Sequence, residues 1–334
     1  MPTPVQRPDP SPAAAAPRAP LPSLADAAPW LARFQPPFAF GSFFAPEDTV
    51  LCALATRDAL RRTPGARRVA ELTAGSALVL AAQLLDGPRL TGWAAEVDPE
   101  AVQRARENLG GLGLAGRARV RRVGLFSPRL AGWLRRVRPD VLACNPPYVP
   151  EPPDEPLALV AGAGPRGDRH PRRVLRVAAE AGLPRVVLSW CSLGDPVGVA
   201  RTAVRAGYRL ERLWVAAIAD GEYTGAVHPY LRTLPTAFLA EDTATLRALA
   251  PDGAARFAYL LLAGSFVRDR APDAGPGAAA RGRRTVRRVA RLMRAFRADG
   301  LAAVERARAA GRPGLSAYAC GRADELRLRV AAHG

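Results

Sequence analysis

The chain contains no lysine, only two asparagines (Asn108 and Asn145), a single isoleucine (Ile218) and three histidines. Alanine, arginine, proline and glycine take their place, the profile of a very GC-rich coding sequence. All 48 basic residues are therefore arginine, and against 30 acidic ones they leave a formal net charge of +18. Such a balance ordinarily points toward nucleic acid. Here part of it is compositional background, so where the charge gathers matters more than its sum.

Cysteine is also scarce. Cys52, Cys144, Cys191 and Cys320 stand far apart, without a CxxC pair or a neighbouring histidine. That argues against a zinc site or a disulfide framework and favours a reducing compartment. No apolar run is long enough to cross a bilayer, and the proline-broken start lacks the basic beginning and unbroken apolar core of a secretion signal. The expected location is the cytoplasm, with no membrane contact. What remains is 334 residues, 49% apolar and 23% charged, enough for a substantial buried core.

Prolines at 2, 4, 8, 10, 12, 17, 20 and 22 mark residues 1–29 as a disordered Pro/Ala-rich leader. A helical segment is expected at 30–65, centred on EDTVLCALATRDALRR from Glu47, whose early acids and late arginines suit the helix macrodipole. From 66 to 268 strand and helix patterns alternate. The strand candidates are RRVAEL, LTGWAAEV, RARVRRV, DVLAC, PRVVLSW, YRLERLWVAAI and RFAYLLLAGSFV. Alternation at this spacing predicts an α/β fold with a doubly wound, mainly parallel, seven-stranded Rossmann-like sheet. Residues 219–255 exceed what the sheet needs and read as a functional insertion. A Pro/Gly/Ala/Asp linker at 269–283 leads into a basic helical C-terminal extension, 284–334. There Val286, Val289, Met293 and Phe296 share one helical face ringed by arginines, which is expected to pack on the body with a solvated arginine face, or else to meet RNA, a ribosome or an acidic partner.

Ligands of open α/β sheets bind beyond the carboxyl ends of the strands, so the loops there carry the chemistry. After the first strand, Glu71 closes onto the small-residue turn Thr73-Ala74-Gly75-Ser76-Ala77, which lets a ligand approach the backbone. Glu96 ends the second strand about 20 residues beyond that turn, where a carboxylate can accept both hydroxyls of a ribose. The fourth strand runs into Asn145-Pro146-Pro147-Tyr148. Each proline pushes its predecessor toward extended backbone. The Asn145 side-chain oxygen and the Pro146 carbonyl are thereby expected to form an acceptor pair for an NH₂ group, with Tyr148 offering a face to a planar substrate.

This order of loops resembles the class I S-adenosylmethionine-dependent methyltransferases, and within them the protein-(glutamine-N5) methyltransferases of release factors and a ribosomal protein. The resemblance spans roughly residues 45–215 and rests on AELTAGSALVL, AAEVDPEAVQRARENL, VGLFSP, DVLACNPPYVP and GPRGDRHPRRVL. It implies S-adenosyl-L-methionine as cofactor, held by Glu71, Thr73 to Ala77, Glu96, Leu125 and Asn145. It also implies a catalytic clamp of Asn145, Pro146, Pro147 and Tyr148, and a protein glutamine as methyl acceptor. Thr73 and Ala77 occupy positions where the family usually has glycine and are expected to crowd the ligand, and Gly124 stands where it usually has an acid. A nucleic-acid exocyclic amine, a natural product or modified peptide, and a non-catalytic scaffold remain open as alternatives.

Overall fold

A computed structural model of the chain describes residues 20–34, 38–40, 46–158, 161–269, 276–311 and 314–320. Helix α1 (Pro46–Arg61) precedes the alternating run β1 (Arg68–Leu72), α2 (Leu78–Asp86), β2 (Thr91–Glu96), α3 (Pro99–Gly111), β3 (Ala118–Arg122), α4 (Leu130–Val137) and β4 (Val141–Cys144). It continues through α5 (Arg169–Glu180), β5 (Arg185–Cys191), α6 (Pro196–Arg205) and β6 (Tyr208–Ala219). Short helices α7 (Glu222–Ala226), α8 (His228–Thr233) and α9 (Thr243–Leu249) fill the insertion before β7 (Ala258–Arg268), α10 (Pro276–Ala309) and β8 (Leu315–Ala319).

The strands form one sheet in the order β3-β2-β1-β4-β5-β7-β6-β8, in which only β7 runs antiparallel to its neighbours. Side chains alternate between two cores, as a pleated strand requires. Val69, Val141 and Val187 join α1, α2 and α3 on one face, while Ala70, Leu142 and Val186 join α4, α5, α6 and α10 on the other. Burial on both faces is what made these strands read as apolar runs. The doubly wound, mainly parallel α/β fold is thus the one expected. Its chain order reverses beside β1, opening a crevice between the carboxyl ends of β1 and β4.

The sheet has eight strands, not seven. Residues 315–319 pair parallel with β6, inside the segment read as a helical tail. The helix of that segment packs on the body, as its apolar face led us to expect. Helix α10 begins at Pro276, within the span read as linker, and buries Val289, Met293, Phe296 and Val304. A fully buried side chain of this size contributes about 1.5–3 kcal/mol, which makes the helix integral to the body. It kinks at Gly300, whose φ of +50° suits glycine and where a Cβ would lie 2.0 Å from Thr245 Oγ1.

The leader expected over 1–29 divides in the same way. Residues 1–19 lie outside the described residues. From residue 20 the chain packs against the body: Leu24 and Ala28 are buried, and Leu24 N–H donates to the Ala319 carbonyl. Proline content rules out a helix there, but it does not prevent apolar anchors from docking. Among the described residues no helix is long and apolar enough to cross a membrane.

Candidate functional site

A cleft of about 580 Å³ opens at the β1/β4 crevice, within the size range of small-ligand sites. Its wall includes Glu71, Thr73 to Ser76, Glu96, Leu125, Asn145 and Pro147, so the loops singled out in the sequence converge there. Ala77, Pro146 and Tyr148 do not line it.

The turn after β1 keeps a glycine-like backbone with only one glycine. Thr73, Gly75 and Ala77 all have positive φ (50°, 52° and 62°). Left-handed backbone costs an ordinary residue about 1–2 kcal/mol, so the fold holds this turn against its own sequence. Of the two side chains expected to crowd a ligand, Thr73 lines the cleft and Ala77 does not. Ala77 points into the core. The Thr73 hydroxyl donates to the carbonyls of Leu72 (2.6 Å) and Asn145 (3.2 Å), tying the β1 and β4 loops together.

Glu96 is locked in orientation. Its Oε2 accepts from Gly75 N–H (3.0 Å), and its Oε1 accepts from the N–H groups of Val97 (2.6 Å) and Asp98 (3.1 Å). The carboxylate keeps further lone pairs for ligand hydroxyls. Asp98 is spent on capping α3. Val97 and Phe126, the large apolar residues left exposed among the described residues at 47% and 46%, both belong to this cleft. They flank Glu96 and Leu125, which gives the far end of the cleft an apolar rim suited to a flat ring. Phe126 is met edge-on by His170, and Arg169 lies over its face. Burial and the nearby Arg169 hold the His170 imidazole below its ordinary range.

Sequence reasoning missed the residue that organises the other end. Asp48 of α1 was read as a dipole-complementing acid, yet it is buried and lines the cleft. The Tyr148 hydroxyl donates to its Oδ2 at 2.7 Å, and the Asn145 amide also hydrogen-bonds it. Burial raises the Asp48 pKa, opposed by these hydrogen bonds and by Thr49. Tyr148 therefore does not stand as an open stacking face. A buried phenol needs a partner, and Asp48 provides it. With the Asn145 amide hydrogen-bonded to Asp48, its Oδ1 is left buried at the cleft with no hydrogen-bond partner in the protein. An unsatisfied buried acceptor is costly, and one on a cleft wall marks where a donor belongs.

Asn108 was also overlooked. Its side chain bonds both backbone groups of Ala39 (2.8 Å each) and the Ser76 carbonyl (3.0 Å), which places Phe40 at the cleft beside the β1 turn. Glu71 closes the floor, its Oε2 accepting from Leu80 N–H at 2.8 Å, and burial pushes its pKa up to about 8. His228 and Tyr230 of the insertion do not line the cleft. His228 stacks on Phe257, and Tyr230 bonds the Pro165 carbonyl.

The strand order and the crevice define a doubly wound, Rossmann-like α/β protein with one ligand cleft at its switch point. No family model and no curated protein matches the chain. Among solved structures it is similar to a Pyrococcus horikoshii protein provisionally titled an RNA methyltransferase, at 17% identity and a TM-score of 0.43, over 74% of this chain and 97% of that one. It is also similar to the ribosomal protein L11 methylase of Lactobacillus delbrueckii subsp. bulgaricus (14%, TM-score 0.38, 70% and 83%). A third likeness is to the precorrin-6y C5,15-methyltransferase of Geobacter metallireducens (17%, TM-score 0.38, 71% and 97%).

Proposed function

We propose that the chain is an S-adenosylmethionine-dependent N-methyltransferase acting on a planar amide nitrogen, with a protein glutamine side chain as acceptor. The observation that carries this reading is the Asn145 oxygen, buried and unpaired on a residue that lines the cleft, while its amide hydrogen-bonds Asp48. The cleft fits the cofactor by its donor set: Glu96 for ribose hydroxyls, Val97, Leu125 and Phe126 around a flat base, and the Thr73–Ser76 turn for the remainder. When bound, the cofactor supplies an electrophilic methyl group on a sulfonium.

The protein's own part is positioning. An amide nitrogen is a weak nucleophile because its lone pair is delocalised into the carbonyl. Asn145 Oδ1 accepts one of its N–H groups and turns the nitrogen toward the cleft, and a fixed orientation of this kind replaces base strength. The same oxygen opposes the positive charge that grows on nitrogen during transfer, a contribution specific to the transition state. Asp48 holds the amide of Asn145 so that oxygen, not NH₂, faces the acceptor.

A nucleobase exocyclic amine presents the same N–H pair, and the arginine face of α10 favours that second reading. Labelled methyl transfer from S-adenosylmethionine into a lysate of the source organism lacking this gene, followed by sizing of the product, separates the two. Labelled protein supports the glutamine reading and labelled nucleic acid the amine. Asn145→Ala is expected to abolish transfer with cofactor affinity retained, and full activity in that variant would refute both.

A further inference from the structure

A second groove lies away from the cleft, where α6 and α10 pack together. The helices approach so closely that a Cβ on Gly282 would sit 2.7 Å from Val204 Cγ1. The space beside this contact, about 480 Å³, has a floor of Val204, Ala279, Gly282 and Val286. Its rims are Arg201 and Arg205 on α6, and Arg283 and Arg287 on α10.

Three observations separate this place from an ordinary solvated arginine face. The first is that all four arginines are exposed and none pairs with a carboxylate among the described residues. Helix α6 carries no acid at all, and α10 carries none before Asp299. Secondly, acids that flank the two helices in sequence are already engaged: Asp195 by Arg172 (2.8 Å), Asp269 by Arg209 (3.2 Å) and Arg281 (3.5 Å), and Glu211 by Arg185. Lastly, each rim places its two arginines four residues apart, which makes like charges neighbours one helical turn apart. That arrangement destabilises a bare helix, and an anionic ligand relieves it.

We infer that this groove binds the sugar-phosphate backbone of single-stranded RNA. Four residues of helix rise about 6 Å, so each rim offers two guanidinium forks at a separation that successive phosphates of an extended strand can meet. Guanidinium planes also stack on unpaired bases, and the apolar floor accepts a base or ribose edge between the rims. The site is independent of the methyl-transfer reading, because its test measures binding alone.

The test is fluorescence anisotropy of the full chain with a fluorescein-labelled mixed-sequence single-stranded RNA, titrated across salt. Four phosphate contacts predict a slope of log K against log salt of about −2.8, since each contributes about −0.7 on a single strand. Arg201→Gln with Arg205→Gln, or Arg283→Gln with Arg287→Gln, should each make the slope shallower by about 1.4 and weaken binding about 25-fold at ~0.1 M salt. All four side chains are exposed, so the variants should melt as the parent does. Arg119→Gln with Arg121→Gln, on the exposed edge strand β3 at the other end of the sheet, removes the same charge and should change binding far less. Unchanged affinity and slope in the groove variants overturn the inference. So does an equal loss in the β3 control, or tighter binding of duplex RNA or of a polyglutamate peptide.

Discussion

The Tyr148 hydroxyl and Asp48 Oδ2 meet at 2.7 Å in the buried interior, although 100 residues separate them in the chain. The pair joins the loop after β4 to helix α1, and the Asn145 amide on the same carboxylate leaves Asn145 Oδ1 without a partner in the protein. A defect at Asp48 should therefore appear as misorientation of Asn145.

Asp48→Asn can bond either end of the Asn145 amide, so it frees the amide to flip. We expect kcat to fall by about 10²-fold, the scale of a small misplacement at a reacting centre, with cofactor affinity nearly unchanged. Tyr148→Phe leaves Asp48 short of a donor and should cost about 1–3 kcal/mol of stability with a smaller loss of rate. Chemical denaturation and steady-state kinetics measure both. Wild-type kcat in Asp48→Asn would remove Asp48 from its orienting role.

The turn at 73–77 offers a cleaner test of strain. A Cβ at Gly75 meets no atom within 4 Å, so Gly75→Ala reports the left-handed backbone alone. Its cost should be about 1–2 kcal/mol. At Ala77 the backbone relief gained with glycine is set against one lost buried methyl and a freer unfolded chain, so Ala77→Gly should be neutral within about 1 kcal/mol. Urea midpoints compare the two directly, and an Ala77→Gly loss as large as that of Gly75→Ala would show that residue 77 is not strained.

Glu71 gives the stability a pH dependence of definite sign. Folded, it holds its proton up to about pH 8, whereas the unfolded chain releases it near the ordinary value of 4.5. Between these values the folded state binds more protons, so stability falls as pH rises from about 4.5 to 8. Asp48, also raised, adds to the same trend. Glu71→Gln keeps an acceptor for Leu80 N–H and should flatten the slope without abolishing it. Parallel stability-against-pH curves for parent and variant would contradict the assignment.

Glu96→Gln retains the shape of the β2 terminus but loses the charge that three backbone N–H groups hold in place. Hydrogen bonds to a charged group are worth about 1.5–3 kcal/mol, so affinity for the demethylated cofactor product should drop by about tenfold or more. Calorimetry reads this without needing the methyl acceptor. Equal affinity would place the ribose elsewhere.

The sheet was readable because strands such as VLAC of β4 and RVVLSWC of β5 are buried on both faces and sit at regular intervals between amphipathic helices. The three loops were readable because topology sends the carboxyl ends of the parallel strands to one side. Strand β8 was not. LSAYA is five residues long, half-buried and short of apolar pattern, and only its pairing with β6 makes it a strand. Asp48 was hidden for another reason: an acid in the first turn of a helix already has a sufficient local explanation, and only packing shows that it faces inward. The inward turn of Tyr148 follows from the same packing. Of the two asparagines, the one beside prolines drew attention, while Asn108 sat in an ordinary helix whose neighbours at 39 and 76 are distant in sequence.

The strand at 315–319 has a bearing on how the polypeptide is made. Until it leaves the ribosome, the outer border of β6 stands bare where β8 will pair, and Pro22 and Leu24 lack the backbone partner they bond, Ala319. An uncovered border at Leu213 to Ala217 invites pairing with another nascent copy. Interrupting synthesis just past α10 should therefore yield a product that retains most of its sheet and clumps.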